Sequence, residues 1–230
     1  MKVAALYDIH GNVPALDAVV ADVADADVLL VGGDFIMGPW PAETLERLRG
    51  LDGDVRFIRG NADREVVDED KVGLAPQEFM EFVRERLSKD QLSFLSDLPL
   101  VERVDVDGLG RVLFCHATPR NDEEIFTRIS PDEEWAEALA DADADVVVCG
   151  HTHIQFDKRI GDIRLVNAGS IGMPYEDEPG AYWAMLGPDI EFRRTEYVPG
   201  DIAGSGWPGE LPSASAAEAT EYFEQLRGRD

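Results

Sequence analysis

Short apolar runs closed by Gly, Asp or His alternate along this chain with stretches whose apolar residues recur every three to four positions. The runs Val3 to Tyr7, Val28 to Val31 and Val55 to Ile58 are almost continuously apolar, the pattern of strands covered on both faces of a parallel sheet. Between them, residues 13 to 24 place Val13, Leu16, Val19, Val20 and Val23 on one helical stripe, with Pro14 in the first turn, where a missing N–H costs nothing. Residues 41 to 49 predict a second helix. From Asp63 to Asp97 the pattern is helical and polar, with EFMEFVRERL and DQLSFLSDL free of internal Gly or Pro, which predicts an inserted helical stretch.

The apolar runs return after Leu100 as RVLFC, DVVVC, IRLVN and AYWAML. One helix is predicted among them, over 131–141, opened by Ser130 as N-cap and Pro131 at the first position. Gly161-Asp162 and Gly187-Pro188 predict the turns of antiparallel hairpins. Residues 199–213, rich in Gly, Pro and Ser, read as a loop, and 214–227 as an amphipathic C-terminal helix. The expectation is an α/β chain forming one domain over residues 1–230, with a strand-rich second half.

Composition narrows the functional classes. Of 230 residues, 44% are apolar, enough to bury a core. The 21 basic and 47 acidic residues give a formal net charge of −26, which excludes a broad basic nucleic-acid-binding face but not a small phosphate-bearing substrate. Only 4 of the bases are Lys, against 17 Arg. An acid-rich, Lys-poor surface suits solubility in concentrated salt; a GC-rich genome would equally favour Arg over Lys. No run reaches the roughly 20 apolar residues of a membrane span, and the N-terminus has no leader pattern, so a cytoplasmic location is expected. Cys115 and Cys149 each end an apolar run, VLFC and DVVVC, and read as buried thiols.

The candidate chemistry lies at strand ends. The four histidines follow predicted strands: His10 in LYDIHGN, His116 after VLFC, His151 and His153 in GHTH. Asp8, Asp34 and Asn61 hold equivalent positions, and ligands of open α/β sheets bind beyond the carboxyl ends of the strands. In extended chain, residues two apart project to the same side, so Asp8 with His10, and His151 with His153, can each grip one ion or two adjacent ions. Imidazoles, carboxylates and one amide oxygen without thiolates suit Mn, Fe, Ni, Co or Zn rather than a structural zinc knot. Seven ligands overfill one ion and suit two, sharing a carboxylate.

The ordered blocks Asp8-Ile9-His10, Gly33-Asp34, Gly60-Asn61-Ala62-Asp63, His116 and Gly150-His151-Thr152-His153 resemble the signature of the calcineurin-like metallophosphoesterase superfamily, and NAGSIG at 167–172 is similar to the segment that follows in its small prokaryotic phosphodiesterase-like branch. The resemblance implies a sandwich of two mixed β-sheets flanked by helices, a four-layer α/β/β/α fold. It implies two divalent transition-metal ions, Mn first, with Ni, Fe, Co or Zn as alternatives. Asp8, His10, Asp34 and His153 would hold one ion; Asp34 would bridge, and Asn61, His116 and His151 would complete the other site. A metal-bridging hydroxide would attack phosphorus, with Asp34, His10, Asn61 and His116 at the reacting centre.

One position departs from the signature. Where the family carries a proton-donating histidine after the Asn, this chain has Ala62, and no histidine is left over for the role. Small prokaryotic members similar to this chain share such a replacement and are associated with phosphodiesterase activity on aryl esters. The expected function is therefore a phosphodiesterase acting on a small phosphate ester. The alternatives are a Ser/Thr-type or nucleotide phosphomonoesterase, and a noncatalytic metal-binding scaffold for protein partners. Two substrate contacts are expected alongside bland readings: Arg120 on a phosphate or paired with Asp122 or Glu123, and Asn12 at the site or capping the first helix. Asp63 is expected to orient a metal ligand. Physiological substrate, metal identity and oligomeric state have no readable code.

Overall fold

The computed structural model describes residues 1–68, 75–211 and 214–227. Strands β1 (Val3–Leu6), β2 (Val28–Val31) and β3 (Asp54–Phe57) pair in parallel, joined by helices α1 (Val13–Asp22) and α2 (Pro41–Arg49). After β3 come α3 (Asn61–Val67), α4 (Gln77–Arg86) and α5 (Lys89–Ser96), which make up the expected helical stretch; its residues 69–74 lie outside the described residues. A second sheet follows, from β4 (Val101–Val106) and β5 (Gly110–Cys115), then α6 (Asp132–Ala138), then β6 (Val146–Cys149), β7 (Phe156–Ile160) and β8 (Ile163–Asn167). The chain returns to the first sheet through β9 (Ala181–Leu186) and β10 (Ile190–Thr195), then adds α7 (Ile202–Ser205) and α8 (Ala216–Arg227).

Each sheet is mixed and five-stranded. The orders are β10-β9-β1-β2-β3 and β4-β5-β6-β8-β7, with β9, β10, β4 and β7 antiparallel to their neighbours. Strand periodicity explains the continuous apolar runs, because alternate residues serve two cores. From β1, Val3 and Ala5 face the second sheet and pack with Val112, Phe114, Val146 and Val148, while Ala4 and Leu6 face the helical layer with Leu16, Val19, Leu45 and Leu48. On β6, Val147 and Cys149 turn outward to Trp135 of α6. Two mixed sheets face to face with helices outside are the expected α/β sandwich. Both cysteines are buried and unpaired.

Three local expectations are corrected. The α6 helix is shorter than 131–141 and takes Pro131, not Ser130, as its N-cap, with no side-chain cap; Ser130 Oγ instead accepts the Thr127 N–H at 2.8 Å and donates to Glu224 of α8. The loop over 199–213 contains the single turn α7, residues 212 and 213 being outside the described residues. The edge strand β4 has no counterpart among the apolar runs. The hairpin turns at Gly161 and Gly187 do connect antiparallel pairs.

Candidate metal centre

The parallel strands β1, β2 and β3 end at one side of the sandwich, as do β5 and β6, and every candidate ligand sits in the segment just past one of these ends. Two buried triads result, Asp8 with His10 and His153, and Asp34 with His116 and His151; the ligand atoms within each triad lie within 4.8 Å of one another. These turns are tight. Among the described residues six non-glycine residues have positive φ, and five are the candidate ligands Asp8, His10, Asp34, His151 and His153, the strained backbone that persists at functional sites. Gly33, at φ 91°, lets the β2 turn approach: a Cβ there would lie 2.5 Å from the Gly60 nitrogen and 2.7 Å from His116 Nδ1.

The imidazole tautomers follow from their second partners. His10 Nδ1 lies 3.1 Å from the Met37 carbonyl, His153 Nδ1 2.8 Å from the Met173 carbonyl, and His116 Nδ1 3.0 Å from the Gly32 carbonyl. A carbonyl only accepts, so each Nδ1 donates, and in the neutral ring each Nε2 presents a lone pair. Yet His10 Nε2 and His153 Nε2 are 3.1 Å apart, and His116 Nε2 is 3.2 Å from His151 Nδ1. The Nε2 lone pairs of His10 and His153 repel at that distance unless a cation or proton lies between them, whereas His151 donates to His116 Nε2 when it holds its proton on Nδ1. Asp8 Oδ1 is 3.3 Å from His153 Nε2, and Asp34 Oδ2 is 3.5 Å from His116 Nε2. Among the described residues, buried atoms without a hydrogen-bond partner include Asp8 Oδ1, Asn61 Oδ1 and His151 Nε2. Orphaned buried oxygens and converging nitrogens fit divalent transition ions.

The electrostatics agree with that fit. Burial, reinforced by the neighbouring His153 and His116 respectively, pushes His10 and His151 down to about 4, which keeps them neutral and able to ligate. At His116 burial opposes the charged form, but the Asp34 and Asp8 carboxylates outweigh it and raise the imidazole to about 10. Asp8 and Asp34 are held below the usual carboxylate range, burial being outweighed by the surrounding imidazoles. Without metal, His116 therefore carries a proton where an ion would otherwise sit.

Asp63 supports the site from behind. Its carboxylate accepts the backbone N–H groups of Asp34 at 2.7 Å, Gly60 at 3.0 Å and Phe35 at 3.2 Å, tying the β2 and β3 turns together. Burial and the Asp34 charge push it up to about 8. His116 and Asp63 thus bind protons more tightly folded than unfolded, where their ordinary values are 6.5 and 3.8. Their contribution is present below those values and is lost as pH rises through about 8 and about 10. In a chelator, the thermal midpoint should fall between about pH 7 and 10, and Mn²⁺, replacing the His116 proton, should flatten the fall. A midpoint in chelator that climbs over this range would contradict the assigned proton.

The two expected substrate contacts lie elsewhere. Arg120 Nε donates to Glu124 at 2.7 Å, and its neighbours Pro119, Glu137 and Asp141 line a separate groove. Its partner is neither Asp122, which takes Arg59 and Arg64, nor Glu123, which takes Arg64. Asn12 caps α1, its Oδ1 accepting the Ala15 N–H at 3.3 Å while Nδ2 donates to Gly172 O and Tyr197 Oη. Sequence reasoning missed the carbonyl partners of the histidines and Tyr175, which stacks on His153 with ring centroids 5.2 Å apart at 14°. It also missed Glu65, one turn beyond Asn61, which accepts the Asn61 amide N–H at 3.3 Å and so leaves Asn61 Oδ1 free to ligate.

Comparison with known proteins places this geometry among relatives. The family model for the calcineurin-like phosphoesterase superfamily domain matches residues 1–187. An uncharacterized protein of Methanocaldococcus jannaschii is 26% identical over 219 residues, spanning 85% of this chain and 87% of its own length. The crystal structure of a metallophosphoesterase from Sphaerobacter thermophilus superposes with a TM-score of 0.73 at 24% identity, and that of a hypothetical protein from Pyrococcus horikoshii OT3 with 0.78 at 21%. In both cases 96% of this chain and 97% of the other are covered.

Proposed function

This chain belongs to the calcineurin-like phosphoesterase superfamily, and from that premise we propose that it is a dinuclear metal-dependent phosphodiesterase acting on a small phosphate ester. The observation that carries the reading is the pair of buried triads with nitrogens converging to 3.1 and 3.2 Å. Asp8, His10 and His153 would hold one ion, His116, His151 and Asn61 Oδ1 the other, and Asp34 would serve both. When bound, the two ions supply charge to neutralise phosphoryl oxygens and to acidify water.

The protein's own groups do the rest. The Met37, Met173 and Gly32 carbonyls fix three imidazoles with Nε2 inward, and Asp63 holds the Asp34 backbone against the Gly60 turn. Ala62 lines the cavity and takes the place where the family signature carries its proton-donating histidine. With all four histidines in the triads, no imidazole remains to protonate the leaving group, which favours substrates whose leaving groups need little protonation, such as aryl diesters, over phosphoseryl or nucleotide monoesters. The complete ligand set argues against a noncatalytic scaffold. Among the described residues no helix is long and apolar enough to cross a membrane.

Chelator-treated protein should be inactive on bis(p-nitrophenyl) phosphate, gain activity on adding Mn²⁺, and lose it again with excess chelator. Elemental analysis should find about two ions per chain. Fewer than about one ion per chain after reconstitution, with no hydrolysis, would favour the scaffold reading instead.

A further inference from the structure

The floor of the site opens into a cavity of about 240 Å³, and the character of its walls is not that of a polyphosphate site. We propose that the substrate carries one phosphate attached to an uncharged, apolar or aromatic alcohol group that this cavity holds; the proposal rests on the phosphoesterase reading above. Beyond the ligand triads, the cavity is walled chiefly by Phe79 of α4, Tyr175, Trp207, and Tyr222, Phe223 and Leu226 of α8. The rings are mutually braced: Phe79 lies 4.5 Å from Trp207 between centroids, Phe223 6.1 Å from Tyr175, and Tyr175 stacks on His153. The apolar wall is therefore continuous with a ligand of the metal centre.

Charge settles which substrates such a wall suits. No Lys or Arg is among the described residues lining the cavity, and the one acid there outside the triads and their turns is Glu210. Two ions can neutralise a single phosphoryl group. A second or third phosphate would extend past them into an aromatic wall with an acid on it, unpaired and desolvated. A hydrocarbon group in the same place releases water from rings of matching character and gains a few-fold in affinity for each buried methylene. Provenance in the chain points the same way. All seven ligands fall within the part matched by the family, residues 1–187, whereas Trp207, Glu210, Tyr222, Phe223 and Leu226 fall beyond it. The shared part holds the phosphate, and this chain's C-terminal segment shapes what is attached to it.

The test uses the full-length Mn²⁺-loaded protein and three probes, methylphosphonate, phenylphosphonate and 4-carboxyphenylphosphonate, measured by calorimetry. Phenylphosphonate should bind about tenfold more tightly than methylphosphonate, and the added carboxylate should weaken it. Tyr222, 58% exposed at the rim, can be changed without opening the core. Tyr222→Ala should cut the phenyl preference by about threefold and leave methylphosphonate affinity unchanged. Glu210→Lys should reverse the penalty on the carboxylate. In parallel, phenyl p-nitrophenyl phosphate should show the higher kcat/KM against methyl p-nitrophenyl phosphate, the leaving group being the same. Equal affinities for the phenyl and methyl probes, undetectable binding of both included, would overturn the proposal, and hydrolysis of both diesters at equal kcat/KM would show that the phosphoesterase reading survives it. The predicted phosphonate preference with no hydrolysis of any diester would support the apolar pocket while removing the phosphodiesterase.

Discussion

Asp34→Asn and His116→Ala should each reduce Mn²⁺-dependent hydrolysis of bis(p-nitrophenyl) phosphate by about 10³-fold or more. Ions at such a centre stabilise transition-state charge by several kcal/mol, and each 1.36 kcal/mol is about tenfold in rate. The two substitutions act on one contact, Asp34 Oδ2 to His116 Nε2 at 3.5 Å. Asp34→Asn keeps the side-chain volume and an oxygen for the Ala62 N–H, which Asp34 Oδ1 accepts at 2.9 Å. It removes the negative charge that would serve both ions, so the fold should persist while metal content falls. His116→Ala removes the fully buried imidazole and leaves the Gly32 carbonyl without its partner, so some thermal stability should go with the activity. Activity, bound metal and thermal midpoint measured together separate these effects. Full activity in either variant with unchanged metal content would overturn the dinuclear assignment.

The residues of the two triads were legible in the sequence because their chemistry is written in side chains at regular places. All four histidines of the chain follow strand ends, and the structure brings all four into two triads with Asp8 and Asp34. The strands β1, β2 and β6 were legible because both of their faces are covered, so they read as unbroken apolar runs. Strand β4 was not, since it lies at the edge of its sheet and its sequence VERVDV is interrupted by Glu102, Arg103 and Asp105. Ser130 misled because a hydroxyl beside a helix start has other partners within reach, here Thr127 and Glu224. The carbonyls that set the histidine tautomers had no sequence signal, because every residue has one. The aromatic wall was equally hidden: Trp207 and α8 reach the site only through tertiary packing, far along the chain from every ligand.

Replacing the alanine that departs from the family signature should produce the largest gain. Ala62 sits in the first turn of α3, is 4% exposed and lines the cavity, so in Ala62→His the introduced imidazole starts its reach at the cavity wall. General acid assistance is worth about 10² to 10⁴ in rate when the leaving group needs a proton. Alkyl phosphodiesters should therefore gain about 10²-fold or more, while p-nitrophenyl esters, whose leaving group departs without help, should change little. The dependence of rate on leaving-group pKa should become shallower, and the pH–rate profile should acquire an alkaline limb as the donor loses its proton. The positive end of a helix disfavours imidazolium, which would place that limb on the low side of the ordinary histidine range. An introduced imidazole could instead bind metal, and that outcome is distinguishable because it would raise the ion content and shift all substrates together. A uniform change across leaving groups would mean that proton donation is not what this site lacks, and that the alkoxide leaves with the help of water or another acid already present.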